Sequence, residues 1–248
     1  MTAQWMGIMG EHANSVAPLL VSTEQGDLKS TFCKSLLPAA LQRYYMDKVD
    51  LTSEGRVERR LAEIGLLNLD EFDKYPSTKM PLLKNLMQMA SLSLCKAYQK
   101  NHRSLPRIAS FIGTSNRKEL LTDPTGSRRF ICVMVKRPID CNGIEHKQIY
   151  AQLKAEILSG ERYWFTKEEE QVLQKNNLSF YRQGPVEDVL RSCYRSVEKG
   201  EEGELRSAAE IFQCLKKKNP SAMRGANPAS LAQILVAVGI ERKHTKFG

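Results

Sequence analysis

The chain of 248 residues carries 37 Lys and Arg against 28 Asp and Glu, a formal charge of +9 with a pI near 9.2, which favours an anionic partner such as nucleic acid, nucleotide or a membrane surface. Its 42% hydrophobic and 26% charged residues are those of a globular protein with one sizeable core, or one core and a small appendage. No apolar run approaches the ~18–20 residues that cross a bilayer, and six scattered cysteines without a C-x-x-C pair argue against a zinc or disulfide framework.

Taken in chain order, Ala17–Ser22 (APLLVS) reads as a short strand that breaks into a polar turn. Ser30–Leu37 reads as a helix stopped by Pro38. Gly65–Leu69 (GLLNL) is a second apolar run, ending in acids. Lys79–Ala90 places Met80, Leu83, Leu86, Met87 and Ala90 at helical spacing, so it is amphipathic. Arg107–Gly113 (RIASFIG) and Phe130–Val135 (FICVMV) are two further strands. Short apolar runs interleaved with helical patterns predict an α/β parallel sheet flanked by helices. From Gln148 to Val197 the chain is charge-rich and helical in pattern. Gly200–Gly203 (GEEG) reads as a linker. Beyond it Ala208, Ile211, Phe212 and Leu215 form one apolar face, and Leu231, Ile234, Leu235 and Val238 another. The polar turn Asn219–Asn227 between them suggests a helix-turn-helix or winged-helix unit. The expected division is therefore a core over 1–147, a helical region over 148–200 and a small unit over 204–248.

The strand, turn and helix at Leu19–Leu37 end in a Lys29-Ser30 pair that opens the helix, as a phosphate-binding P-loop does. Gln25, Gly26, Lys29, Ser30 and Thr31 are the candidate ATP contacts, with Lys29 reaching the β- and γ-phosphates. The usual glycine positions of such a loop hold Thr23 and Leu28, and glycine is what permits the φ > 0 turns that wrap a phosphate. Leu66–Glu71 (LLNLDE) is an apolar strand ending in paired acids. Ser30 and Asp70 are the candidate Mg²⁺ ligands, and Glu71 is the candidate base that polarises the attacking water. Phe111–Asn116 (FIGTSN) ends in Asn116, placed to orient that water. In Thr125–Phe130 (TGSRRF), Arg128 and Arg129 suit a trans-acting arginine finger.

The order of these elements, carried by QGDLKST, NLDEFDK, LPRIASFIGTSN and DPTGSRRF, resembles the virulence-associated E family of mobile-element proteins. That family comprises ATPases related to the superfamily 3 helicases within the AAA+ group. The resemblance spans about half of the chain, Ala17–Val135. It implies a P-loop NTPase core of AAA+ type and ATP- and Mg²⁺-dependent work on single-stranded or forked DNA by a homo-oligomeric ring. It also implies a primase domain on a longer parent chain, although no primase motif is visible here. In superfamily 3 helicases a hairpin just before the polar sensor grips the single strand. Leu92–Arg107 occupies that position, and its Lys96, Tyr98, Lys100, His102 and Arg103 combine phosphate contacts with base stacking. Basic residues at Lys216–Lys218, Arg224, Arg242, Lys243, His244 and Lys246 suit duplex DNA. The chain stops at Gly248, where the hairpin of a winged helix would begin, so a longer parent protein is expected.

Three activities compete. A helicase motor requires Asp70, Glu71, Asn116 and an arginine finger, all present. A nucleotide-binding switch without turnover, an initiator or regulator that binds DNA through the C-terminal helices, is favoured by the missing glycines. A small-molecule kinase is disfavoured by the basic segment at Lys96–Arg103 and by the lack of an obvious lid. The N-terminus has no signal-peptide pattern, so a cytoplasmic location without a membrane partner is expected.

Overall fold

The structure, a computed structural model, describes residues 1–8, 12–52, 54–95, 102–122, 128–182, 184–197 and 203–240. The chain divides into two compact units, Met1–Tyr181 and Arg182–Gly248.

In the first unit the elements run α1 (Thr2–Trp5), β1 (Ala17–Val21), α2 (Lys29–Ser35), β2 (Tyr45–Asp47), α3 (Glu54–Glu63), β3 (Leu66–Leu69), α4 (Met80–Gln88), β4 (Ser91–Cys95), β5 (His102–Pro106), β6 (Ser110–Ser115), β7 (Phe130–Met134), α5 (His146–Leu158) and α6 (Lys167–Asn177). Five strands form one sheet in the order β2-β3-β6-β1-β7, and every pairing in it is parallel. Parallel neighbours need crossover helices, which cover both faces. This is why β3 and β6 are buried at every position instead of alternating. Successive residues of β1 serve opposite faces: Leu19 and Val21 pack with Leu83, Leu86 and Met87 of α4, whereas Leu20 packs with Cys33 of α2.

The predicted strands and the amphipathic helix are present, with shifted ends. The strand expected from Arg107 begins at Ser110 because Arg107 is spent otherwise. Its buried guanidinium donates to the carbonyls of Met87 (3.0 Å), Met89 (2.6 Å), Asn14 (2.8 Å) and Ala109. Burial pulls the guanidinium down to about 10, still protonated at neutral pH. The cation thus gathers carbonyls at the end of α4, where positive charge is favourable. β2 and α3 were not foreseen. β2 has three residues and none is buried, and α3 reads as a run of charges, with Val57 and Leu61 buried one turn apart.

The exposed backbone of the edge strand β7 is covered by a side chain. Asn177, fully buried at the end of α6, donates to the Phe130 carbonyl at 2.7 Å and accepts from the Cys132 N–H at 3.4 Å. It stands in for a sixth strand at an edge that would otherwise offer free pairing groups.

The second unit holds α7 (Pro185–Cys193), α8 (Ala208–Lys218) and α9 (Pro228–Ala237). Leu190, Ile211, Phe212, Leu215, Met223, Leu231 and Leu235 form its core. α7 packs here through Leu190, so the boundary lies at Tyr181–Arg182, earlier than the expected 204. Reciprocal capping boxes, Ser207 with Glu210 and Asn227 with Ser230, set the starts of α8 and α9. Most of the expected linker Gly200–Gly203, and the basic residues after Ile240, lie outside the described residues. Among the described residues, no helix is long and apolar enough to cross a membrane.

Candidate nucleotide site

Parallel sheets place their ligand crevices beyond the carboxyl ends of the strands, and the polar side chains of β1, β3 and β6 gather at that end. The turn after β1 is held by its own side chains. Ser22 exchanges hydrogen bonds with the backbone of Glu24 (3.1 and 3.2 Å) and donates to the buried carboxylate of Asp27. The Asp27 carbonyl accepts from Ile139 N at 3.2 Å. Gly26 takes φ +93°, the conformation that the turn demands and glycine tolerates. Leu28 takes φ +57° with its side chain exposed, so leucine here occupies the left-handed region where a phosphate loop ordinarily has glycine.

α2 starts immediately afterwards. Lys29 is only 7% exposed and folds back into the turn, its Nζ 3.3 Å from the Glu24 carbonyl. Gln25, Gly26, Ser30 and Thr31 are exposed around it. The far end of α2 is anchored by α5: Tyr150 donates to the Leu36 carbonyl at 2.7 Å, and His146 Nε2 lies 2.6 Å from the Ser35 carbonyl.

Helix α2 and the ends of β3 and β6 meet at one oxygen. Ser30 Oγ donates to Asp70 Oδ1 at 2.8 Å, and Thr114 Oγ1 donates to the same atom at 2.7 Å. Thr114 Oγ1 also accepts from Glu71 N at 3.3 Å, beside the left-handed backbone of Glu71 at φ +53°. The Glu71 carboxylate is gripped by Lys74 and by Lys48, the latter at 3.2 Å. These two lysines, Lys74 foremost, hold it below the usual glutamate range. Lys48 also lies 3.8 Å from Asp70. Ser115 Oγ donates to Asp73 at 2.9 Å.

The structure thus brings Lys29, Ser30, Asp70 and Glu71 together, and adds Thr114 and Lys48, which sequence reasoning missed. Thr114 stands in the FIGTSN string, two residues before Asn116. Lys48 had no signal, because β2 was not visible. Asn116 is the first residue beyond β6 and is exposed. Arg128 and Arg129 precede β7. Arg128 is exposed and ion-paired with Glu170 of α6 at 3.3 Å, and Arg129 is half-buried.

The oxygens suit Mg²⁺. Among the described residues no three His, Cys, Asp or Glu side chains converge, so a hydroxyl and a carboxylate are the donors at hand. Magnesium accepts so sparse a protein set because water and phosphate oxygens complete its octahedron.

The expected basic hairpin is an antiparallel pair, β4 with β5, in register from Ser91–Pro106 to Cys95–His102. His102 and Arg103 lie on β5, whereas Lys96, Tyr98 and Lys100 fall outside the described residues.

The left-handed leucine makes a checkable expectation. A non-glycine residue there costs roughly 1–2 kcal/mol, partly offset by about 0.4–1 kcal/mol of unfolded-state entropy that glycine adds. Leu28→Gly should therefore raise the melting temperature by roughly 1–4 °C. A melting temperature at or below that of the parent, read by calorimetry, would remove the strain argument.

No curated protein sequence matches the chain. Among solved structures, the apo structure of the NrS-1 C terminal region (305–718) is similar at 15% identity and a TM-score of 0.41, covering 95% of this chain and 57% of that one. The A form of the same region shows 18% identity and a TM-score of 0.38, over 71% of this chain and 37% of that one. The chain therefore spans little more than half of those structures at most. Residues 183–248 match the model of a domain of unknown function described from a B. theta gene, DUF3874. Residues 13–182, well over half of the chain, match the virulence-associated protein E-like domain. The chain belongs to the virulence-associated protein E-like family.

Proposed function

We propose that this chain is the ATP-hydrolysing motor of a DNA helicase or translocase that serves replication of a mobile element in the cytoplasm. On this reading residues 13–182 are a P-loop NTPase unit of AAA+ type. The observation that carries it is the meeting of Ser30 and Thr114 on Asp70 Oδ1, with the buried Lys29 beside Ser30. A lysine and a hydroxyl at the start of α2, beside a carboxylate at the end of β3, form a receptor for a polyphosphate with its cation.

Each residue then has a task. Lys29, with Gln25, Gly26 and Thr31, binds and orients the phosphates. Ser30 and Asp70 would hold Mg²⁺, which supplies neutralisation of the charge developing on the phosphates. Thr114 orients Asp70. Glu71 accepts the proton of the attacking water, and Asn116 orients that water. Arg128 or Arg129 reaches the nucleotide of the neighbouring subunit in a homo-oligomeric ring. The β4–β5 hairpin, with Lys96, Tyr98, Lys100, His102 and Arg103, grips single-stranded or forked DNA, and a primase domain accompanies the motor on the parent protein. In the resting geometry Glu71 is a weak base, because two lysines stabilise its charged form. Turnover therefore requires their release.

Glu71→Gln keeps shape and hydrogen bonding but removes the base. It should bind ATP as the parent does and turn over about 10²–10⁴-fold more slowly. Parent-like hydrolysis by the variant, in a phosphate-release assay, would place the base elsewhere. The second reading is a nucleotide-binding switch without turnover, favoured by Leu28 in the loop and by the doubly paired Glu71.

A further inference from the structure

The second unit carries a one-sided charge that the motor reading does not use. From Ile211 to Ile240 the chain has four basic residues and no acid. All four, Lys216, Lys217, Lys218 and Arg224, are exposed. They lie on the last turn of α8 and in the turn that leads to α9. The acids of this unit among the described residues sit elsewhere, and most are already engaged. Glu187 pairs with Arg191 at 2.9 Å, Glu204 pairs with Arg206 at 2.7 Å, and Glu210 closes the capping box on Ser207. Among the described residues none of the four cations has a carboxylate partner.

Two of the lysines are ordered by their own unit. Lys216 Nζ lies 5.8 Å from the ring centroid of Phe212, and Lys218 Nζ lies 3.7 Å from Cys193 Sγ at the end of α7. Positive charge at a helix C-terminus also offsets the helix dipole, which would account for the lysines as a stabilising cap. It would not account for Arg224, which lies beyond the helix, or for a stretch this long without an acid.

We propose that α8, the following turn and α9 form a binding surface for duplex DNA, with Lys216–Lys218 and Arg224 on the phosphate backbone. Three observations select the duplex. Phe212 is the only aromatic residue of this stretch and is buried, so no ring is offered for the base stacking that single-strand grips use. The outer positions of α9 are Ala229, Gln233 and Val236, a slim face that fits a major groove about 12 Å wide, with an amide suited to adenine. Val236 is the only large apolar residue exposed on α9 among the described residues, whereas helices that lie on membranes need a broad apolar face.

The test uses the full chain without nucleotide, so its outcome is independent of the motor reading. Fluorescence anisotropy with a labelled duplex of roughly two helical turns is recorded across salt concentrations, for the parent and for Lys217→Glu combined with Arg224→Glu. Both residues are exposed, so the variant should melt like the parent. Its duplex Kd should rise about tenfold or more, and its salt slope should fall by about 0.9 for each phosphate that is no longer neutralised. Affinity for a single strand of the same sequence should hold. An unchanged duplex Kd and slope would overturn the proposal, as would equal losses on duplex and single strand. A loss confined to phosphatidylserine vesicles would assign the surface to a membrane instead.

Discussion

If the chain is the proposed motor, replacing Arg129 or Arg128, whichever serves as the finger, with alanine should lower ATP turnover by roughly 10³–10⁵ while leaving ATP affinity largely intact. On that reading the sheet geometry requires the effect to come from a neighbouring subunit. β7 runs parallel to β1, with Phe130 opposite Ala17 and Met134 opposite Val21. The arginines precede Phe130, while the nucleotide loop follows Val21. Five residues of strand, at about 3.3 Å each, put the two roughly 16 Å apart along the sheet. That separation is what the proposed action on a neighbouring subunit's site requires. They differ in readiness: Arg128 is exposed but tied to Glu170, and Arg129 is half-buried. Mixing an Arg129→Ala or Arg128→Ala chain with a Lys29→Ala chain should restore part of the ATPase, since some interfaces then join an intact loop to an intact arginine. If neither mixture recovers activity, the ring fails and the monomeric switch becomes the better account.

The second large effect lies at Lys29. Its amine is nearly enclosed by the turn and rests on the Glu24 carbonyl, a neutral partner that phosphate would displace on the proposed reading. A positioned cation in such a site contributes about 3 kcal/mol, roughly 100-fold in Kd. Lys29→Met keeps most of the buried stem and removes the charge, so stability should hold while ATP binding falls by about that factor. A titration with fluorescent ATP measures it, and an affinity equal to the parent's would dismiss the turn as a phosphate site. Asp70→Asn should act differently, retaining nucleotide and weakening the dependence on Mg²⁺, because Ser30 and Thr114 can still hold the side chain in place.

Sequence alone determined the elements whose evidence is local. β1, β3, β6 and β7 are legible as short apolar runs because parallel strands buried on both faces must be apolar throughout. α4, α8 and α9 are legible because one face of each repeats at helical spacing. The order of lysine, acids, polar strand end and arginines was equally plain, since each chemical task demands a residue type at a strand end. Tertiary structure decided the rest. β2 exists because it pairs with β3, not because its three residues, none of them buried, prefer a strand, and only that pairing delivers Lys48 to Glu71. Thr114 became a partner of Asp70 across 44 residues, a closeness that no local pattern encodes. Arg107 left its strand for the end of α4, and α7 joined the second unit, because distant carbonyls and apolar faces offered more than their sequence neighbours did.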